Sequence, residues 1–122
     1  MLAIAAARLG WAPVRCYDHE TAALEACEAN AAANGVAVQT TPVNLREGLP
    51  PLEPTVLANL TAPLLRIVAA ELAGREAPAA LVCSGLLVGE TDGVAEAMAG
   101  AGLVERERHR SGEWAAIWFG PP

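Results

Sequence analysis

Lysine is absent from the 122 residues, and eight arginines face 14 acidic side chains, for a net charge of −6. A chain without a basic track cannot neutralise a phosphate backbone, so direct nucleic-acid binding is not expected. Long apolar runs are also missing, because Arg, Glu, Pro and Gly interrupt each one before it could cross a bilayer. Met1–Gly10 lack the basic start of a signal peptide and read as a helix of Ala, Leu and Ile, so the cytoplasm is the expected compartment. Cys16, Cys27 and Cys83 include no Cys-x-x-Cys pair, which argues against zinc or dithiol chemistry and for buried free thiols. His19 and His109 stand ninety residues apart with no Ser or Cys in a nucleophile turn, so no triad and no metal site is read here. Both are expected as surface or cap residues.

What is present is a 53% hydrophobic composition, ample for the core of one domain. Short β-like runs alternate with longer helical ones, the pattern of an α/β protein with a mostly parallel sheet. Helix is expected over Leu2–Leu9, strand over Pro13–Tyr17, and helix over Glu20–Asn34, which Gly35 ends. In that helix Leu24, Cys27 and Ala31 share one face, with Glu20, Glu25 and Glu28 mostly away from it. Strand is expected at Val36–Thr40, an irregular Pro-rich stretch over Thr41–Pro54, and strand at Thr55–Ala58. A helix near Ala62–Ala73 follows, with Leu64, Val68 and Leu72 on its buried stripe. Ala79–Cys83 reads as strand and Val88–Ala99 as helix. Leu103–His109 and Trp114–Phe119 then form an antiparallel hairpin turned at Arg110–Glu113. Glu105 and Glu107, interleaved with Arg106, Arg108 and Arg110, read as a solvated edge that discourages unwanted pairing. No repeat or linker divides the chain, so residues 1–122 are expected as one domain.

Two polar residues fall at carboxyl ends of strands, where open α/β sheets bind ligands. Asp18 there can accept hydrogen bonds from both hydroxyls of a ribose, or can simply cap the helix that begins near Glu20. Asn59 can turn its amide onto its own backbone, or can, with the Leu60 carbonyl, hold a nucleophilic amine by hydrogen bonds. Pro63 suits the first turn of the helix that follows. A doubly wound sheet usually opens on a central strand whose turn carries the cofactor-binding glycines. Here the first helix comes without them.

Taken in order, Tyr17-Asp18, Asn34-Gly35, Ala58-Asn59-Leu60 with Ala62-Pro63-Leu64, Ser84-Gly85-Leu86-Leu87 and Gly112-Glu113-Trp114 resemble the marks of one family. It is the PrmA-type group of class I S-adenosylmethionine-dependent methyltransferases, which methylate amino groups of the eleventh large-subunit ribosomal protein. The resemblance implies a Rossmann-like α/β fold, mostly parallel with an antiparallel carboxyl-terminal hairpin and lacking its first central strand. It further implies S-adenosylmethionine as cofactor, with Asp18 on its ribose and Asn59 and Leu60 beside the methyl donor and the acceptor amine. Asn44 falls near where relatives carry an acid on the adenine amino group. The family's glycine loop, the strand before it and the separate substrate-recognition domain are missing, so a truncated or internally started chain is expected. Either the sheet then closes differently, or self-association or a partner covers the strands left unpaired. A non-catalytic remnant serving as a binding or assembly module is the alternative. A nicotinamide-binding domain would share the acid-ended strand but would leave Asn59 and Pro63 unaccounted for.

Overall fold

The computed structural model describes Leu2–Pro122, and its residues gather into two compact units, one ending at Asn44 and one formed by Leu45–Pro122. No helix among the described residues is long and apolar enough to cross a membrane.

The first unit contains α1 (Leu2–Arg8), β1 (Arg15–Asp18), α2 (Thr21–Ala33) and β2 (Gln39–Pro42). Leu24, Cys27 and Ala31 of α2 are buried on one face while Glu25 and Glu28 are exposed, as their spacing predicts. Gly35, at φ +66°, ends the helix: its N–H reaches the Ala32 carbonyl and the next N–H, that of Val36, reaches Ala31 at 3.0 Å. That capping explains why β2 begins at Gln39 and not at Val36. Val36 still closes the helix, and Val36 and Val38 pack against the Ile4, Cys27 and Ala31 cluster before the ladder starts. β1 and β2 then pair in parallel, Arg15 opposite Gln39 and Asp18 opposite Pro42.

The second unit orders its strands β3-β4-β6-β5, with β3 at Thr55–Asn59, β4 at Ala80–Leu87, β5 at Val104–Ser111 and β6 at Trp114–Gly120. The β3–β4 pair is parallel and joined through α3 (Ala62–Leu72), whereas β4–β6 and β6–β5 are antiparallel.

α3 and α4 (Thr91–Gly100) press on one face of this sheet, burying Leu65, Leu72, Leu81, Cys83, Leu86, Met98, Ile117 and Phe119. The stripe of α3 differs from expectation by one position. Leu65, at 0% exposure, joins Ala62, Val68 and Leu72 in the core, and Leu64 lies beside the stripe, half-buried. Both spacings are helical; contact with the sheet decides between them.

β4 is longer than its apolar alternation suggests. Leu81 and Cys83 obey the period of two, but Leu86, three residues past Cys83, is buried on the same face. An extra residue resolves the conflict: Cys83 pairs with Ile117 and Leu86 with Ala115, a bulge over Ser84-Gly85. A 3-10 turn, Val88–Glu90, leads into α4, and Glu90 accepts the Leu87 N–H at 2.8 Å.

β5 is an exposed edge, with one exception to the solvated reading. Arg108 turns toward α4, donating to Thr91 Oγ1 at 2.9 Å and Asp92 at 2.8 Å while forking onto Glu105. The hairpin is tighter than expected, with Gly112 at φ +61° and Glu113 as its two turn residues.

All three cysteines are free, Cys27 and Cys83 buried and Cys16 partly so. Burial pushes the Cys83 thiol up to about 12, and burial together with Cys27 pushes Cys16 up to about 11.

Two outcomes follow for stability. Leu65→Ala should cost about 2–5 kcal/mol in urea unfolding and Leu64→Ala less than half as much, since only Leu65 leaves a closed cavity. The Cys83 thiol stays protonated in the native chain to about pH 12. An unfolded thiol ionises near 8.5, so the stability this group contributes is present below that pH and lost as pH rises toward 12. Unfolding measured over that range should fall less steeply for Cys83→Ala than for wild type.

Candidate functional site

Each unit brings candidate residues to the carboxyl end of its parallel pair. In the first, Asp18 closes β1 and its backbone carbonyl accepts the Val43 N–H at 2.9 Å, which carries the chain past β2 to Asn44. Asp18 and the exposed Asn44 thus sit at the same end of the two-stranded sheet. Asp18 Oδ1 accepts the Glu20 N–H at 3.0 Å, a turn contact two residues on that precedes α2 and does not cap it, since Glu20 holds the N-cap position without a side-chain bond; the Asp18 side chain is 41% exposed. His19 lies 3.6 Å away and is exposed, as its reading as a surface residue requires.

In the second unit Asn59 is the last residue of β3, on the face opposite the helices, opposite Ser84 in register. The Leu60 N–H donates to the Ser84 carbonyl at 3.2 Å, which holds the strand's exit against the bulge in β4. Thr61 then holds the N-cap position of α3, its carbonyl accepting the Leu65 N–H at 3.0 Å, with Pro63 in the first turn. The chain is thus fixed at two points immediately after Asn59.

A cavity of about 330 Å³ opens beside it, walled by Asn59, Ser84 and Gly85 on one side and by His109, Arg110 and Trp114 of the hairpin on the other. Trp114 is 55% exposed and offers a broad ring to that space. His109 Nε2 sits 2.8 Å from Glu107 Oε1.

The sequence identified Asn59 and Leu60 by their place at a strand end. It did not single out the far wall. Trp114 stood only as one member of a motif, and His109 as a surface residue. The signal that places them here is the hairpin: antiparallel pairing of β6 with β4 sets Trp114 opposite Leu87 and Ala115 opposite Leu86, just past the bulge. Strand pairing of that kind is not written in local spacing.

The family model for ribosomal protein L11 methyltransferase (PrmA) matches residues 1–120. The ribosomal protein L11 methyltransferase of Pelotomaculum thermopropionicum is 38% identical over 120 residues, covering 96% of this chain and 39% of the relative. The chain spans about two-fifths of the length of the curated relatives it matches. Among solved structures, the ribosomal protein L11 methylase of Lactobacillus delbrueckii subsp. bulgaricus superposes with a TM-score of 0.86 at 23% identity, over 98% of this chain and 64% of that one. The 16S rRNA methyltransferase RmtF, solved in complex with S-adenosyl-L-homocysteine, gives 0.74 at 17% identity, over 99% of this chain and 52% of that one. These likenesses establish the fold as that of the class I methyltransferases.

The turn contact from Asp18 to Glu20 is open to test by substitution. Asp18→Asn keeps an acceptor for the Glu20 N–H and should leave unfolding stability almost unchanged, whereas Asp18→Ala should cost about 1 kcal/mol, the net worth of one such hydrogen bond. Chemical denaturation of the two variants checks this.

Proposed function

The chain belongs to the ribosomal protein L11 methyltransferase (PrmA) family, and from that premise we propose that it forms part of an S-adenosylmethionine-dependent methyltransferase acting on amino groups of ribosomal protein L11. The observation that carries the reading is the pairing of Asn59 and Leu60 at the mouth of β3, beside a cavity large enough for an aliphatic amine side chain.

The donor sets suit the cofactor's parts. Asp18 offers a carboxylate at a strand end, where a ribose diol can donate to it, and Asn44 offers an amide at the same end of the first sheet. Asn59 supplies a neutral amide, suited to a site that must tolerate a positive sulfonium without neutralising it. When bound, S-adenosylmethionine supplies an electrophilic methyl group.

This chain's own residues orient the nucleophile. An amine attacks only as the neutral base, with its lone pair directed at the methyl carbon. The Asn59 Oδ1 and the Leu60 carbonyl oxygen are both acceptors, so they take the amine's two N–H bonds and leave the lone pair free to point along the reaction axis. With the cofactor bound, the nitrogen held by Asn59 and Leu60 would take the methyl from the cofactor's sulfonium, and the nitrogen's surplus proton would pass to solvent water. Holding reactants in line supplies much of the rate in such a transfer. The Trp114 ring lines the same cavity and suits the apolar methylene stem of an amino side chain.

In the intact protein, Asn59→Ala should lower the rate of methyl transfer to L11 by about 100-fold while changing S-adenosylmethionine affinity by less than about threefold, as expected for an interaction made mainly in the transition state. Asp18→Ala should do the reverse, weakening cofactor binding by about 10–100-fold, the worth of charged hydrogen bonds to a hydroxyl pair. Calorimetric titration with cofactor and a radiolabelled methyl-transfer assay separate the two. Wild-type kinetics in Asn59→Ala would remove its role, and the absence of any cofactor binding would favour a non-catalytic module.

A further inference from the structure

Gly85 occupies the bulged position of β4 at φ +80°, and the space where its side chain would stand is already taken. A methyl group on this residue would lie 2.5 Å from Asn59 Oδ1 and 3.2 Å from the Leu60 carbonyl oxygen. These are the two acceptor atoms assigned above to the amine. No other glycine of the chain comes near either of them.

The Leu60 N–H is bonded to Ser84, the neighbour of Gly85, at 3.2 Å. The strand exit therefore cannot retreat from the bulge without losing that bond. Room for the Asn59 amide comes from the missing side chain instead. An ordinary van der Waals contact begins near 3.4 Å, so an added methyl would drive Oδ1 away by about 0.9 Å and press on the Leu60 carbonyl by a few tenths of an ångström.

We propose that Gly85 is a positioning residue: by lacking a side chain, it sets where Asn59 Oδ1 and the Leu60 carbonyl stand, and so the direction in which the acceptor amine is held. The bulge serves two purposes at once. It returns Leu86 to the buried face of the sheet, and it places a residue without Cβ against the amine-holding pair. A displacement approaching 1 Å in a group that aligns a nucleophile costs on the order of 100-fold in rate.

Positive φ by itself favours glycine, so backbone strain and lost clearance must be told apart. Strain acts whatever residue stands at 59. Loss of clearance requires the Asn59 amide. Four proteins separate them: wild type, Gly85→Ala, Asn59→Ala and the double variant, each made in the intact protein and followed by thermal unfolding and by methyl-transfer kinetics.

In the wild-type background Gly85→Ala should lower kcat by about 100-fold with KM for S-adenosylmethionine within about threefold, and in the Asn59→Ala background it should lower kcat by less than about fivefold. The fall in Tm caused by Gly85→Ala should likewise shrink by about half once the amide is gone. Equal losses in both backgrounds, in rate and in Tm, overturn the proposal. If Gly85→Ala does not fold, a folded double variant supports the assignment and an unfolded one overturns it. The kinetic arm rests on the methyl-transfer reading, but the thermal arm does not. A wild-type protein that transfers no methyl refutes that reading alone, and the two Tm losses still decide whether Gly85 and Asn59 compete for the same space.

Discussion

The second unit depends on one constraint in β4: a single strand must pair in parallel with β3, antiparallel with β6, and keep its apolar residues on the helix-covered face throughout. Leu81 and Cys83 satisfy this by simple alternation, and Leu86 cannot, because three residues separate it from Cys83. The bulge at Ser84-Gly85 absorbs the odd residue. With it, Cys83, Leu86, Ile117 and Phe119 all reach the core, and α3 and α4 have a continuous surface to cover. Without it, every residue beyond Cys83 would face the wrong way, and the hairpin that forms the far wall of the cavity would lose its register.

The same device shapes the candidate site. β3 ends at Asn59 opposite Ser84, level with the bulge, so the strand's last side chain meets a stretch of β4 that has been pushed out of line and stripped of a side chain. The bulge that the fold requires thus also lines the candidate site. The first unit is simpler. Its parallel pair carries Asp18 and Asn44 at one end, and the Asp18 carboxylate secures the turn into α2 while its side chain remains accessible.

Much of this is legible in the chain. The buried face of α2 follows from the three- and four-residue spacing of Leu24, Cys27 and Ala31, and the exit of that helix from Gly35. Asp18 and Asn59 stand out because each is a polar residue closing an apolar run, and the ordered motifs around them identify the family. Three things are not legible. Val36 and Val38 look like strand but are drawn into the helix cap and a small core, which delays β2 to Gln39. Leu64 and Leu65 fit a helical stripe equally well until a sheet is laid against them. The alternation that defines β4 stops at Cys83, so the strand seems to end where it only bulges.

What the sequence determined by itself is local: periodicity, caps, turn residues and the polar side chains left at strand ends, all set by backbone geometry within a few residues. What the tertiary structure alone decided is which of those residues face each other. The close approach of Gly85 to Asn59 joins residues 26 positions apart, and Trp114 reaches the same cavity from a hairpin further along the chain. Such proximities arise from strand pairing and register. A two-residue periodicity fixes the face a side chain takes, and only the partner strand fixes its neighbour.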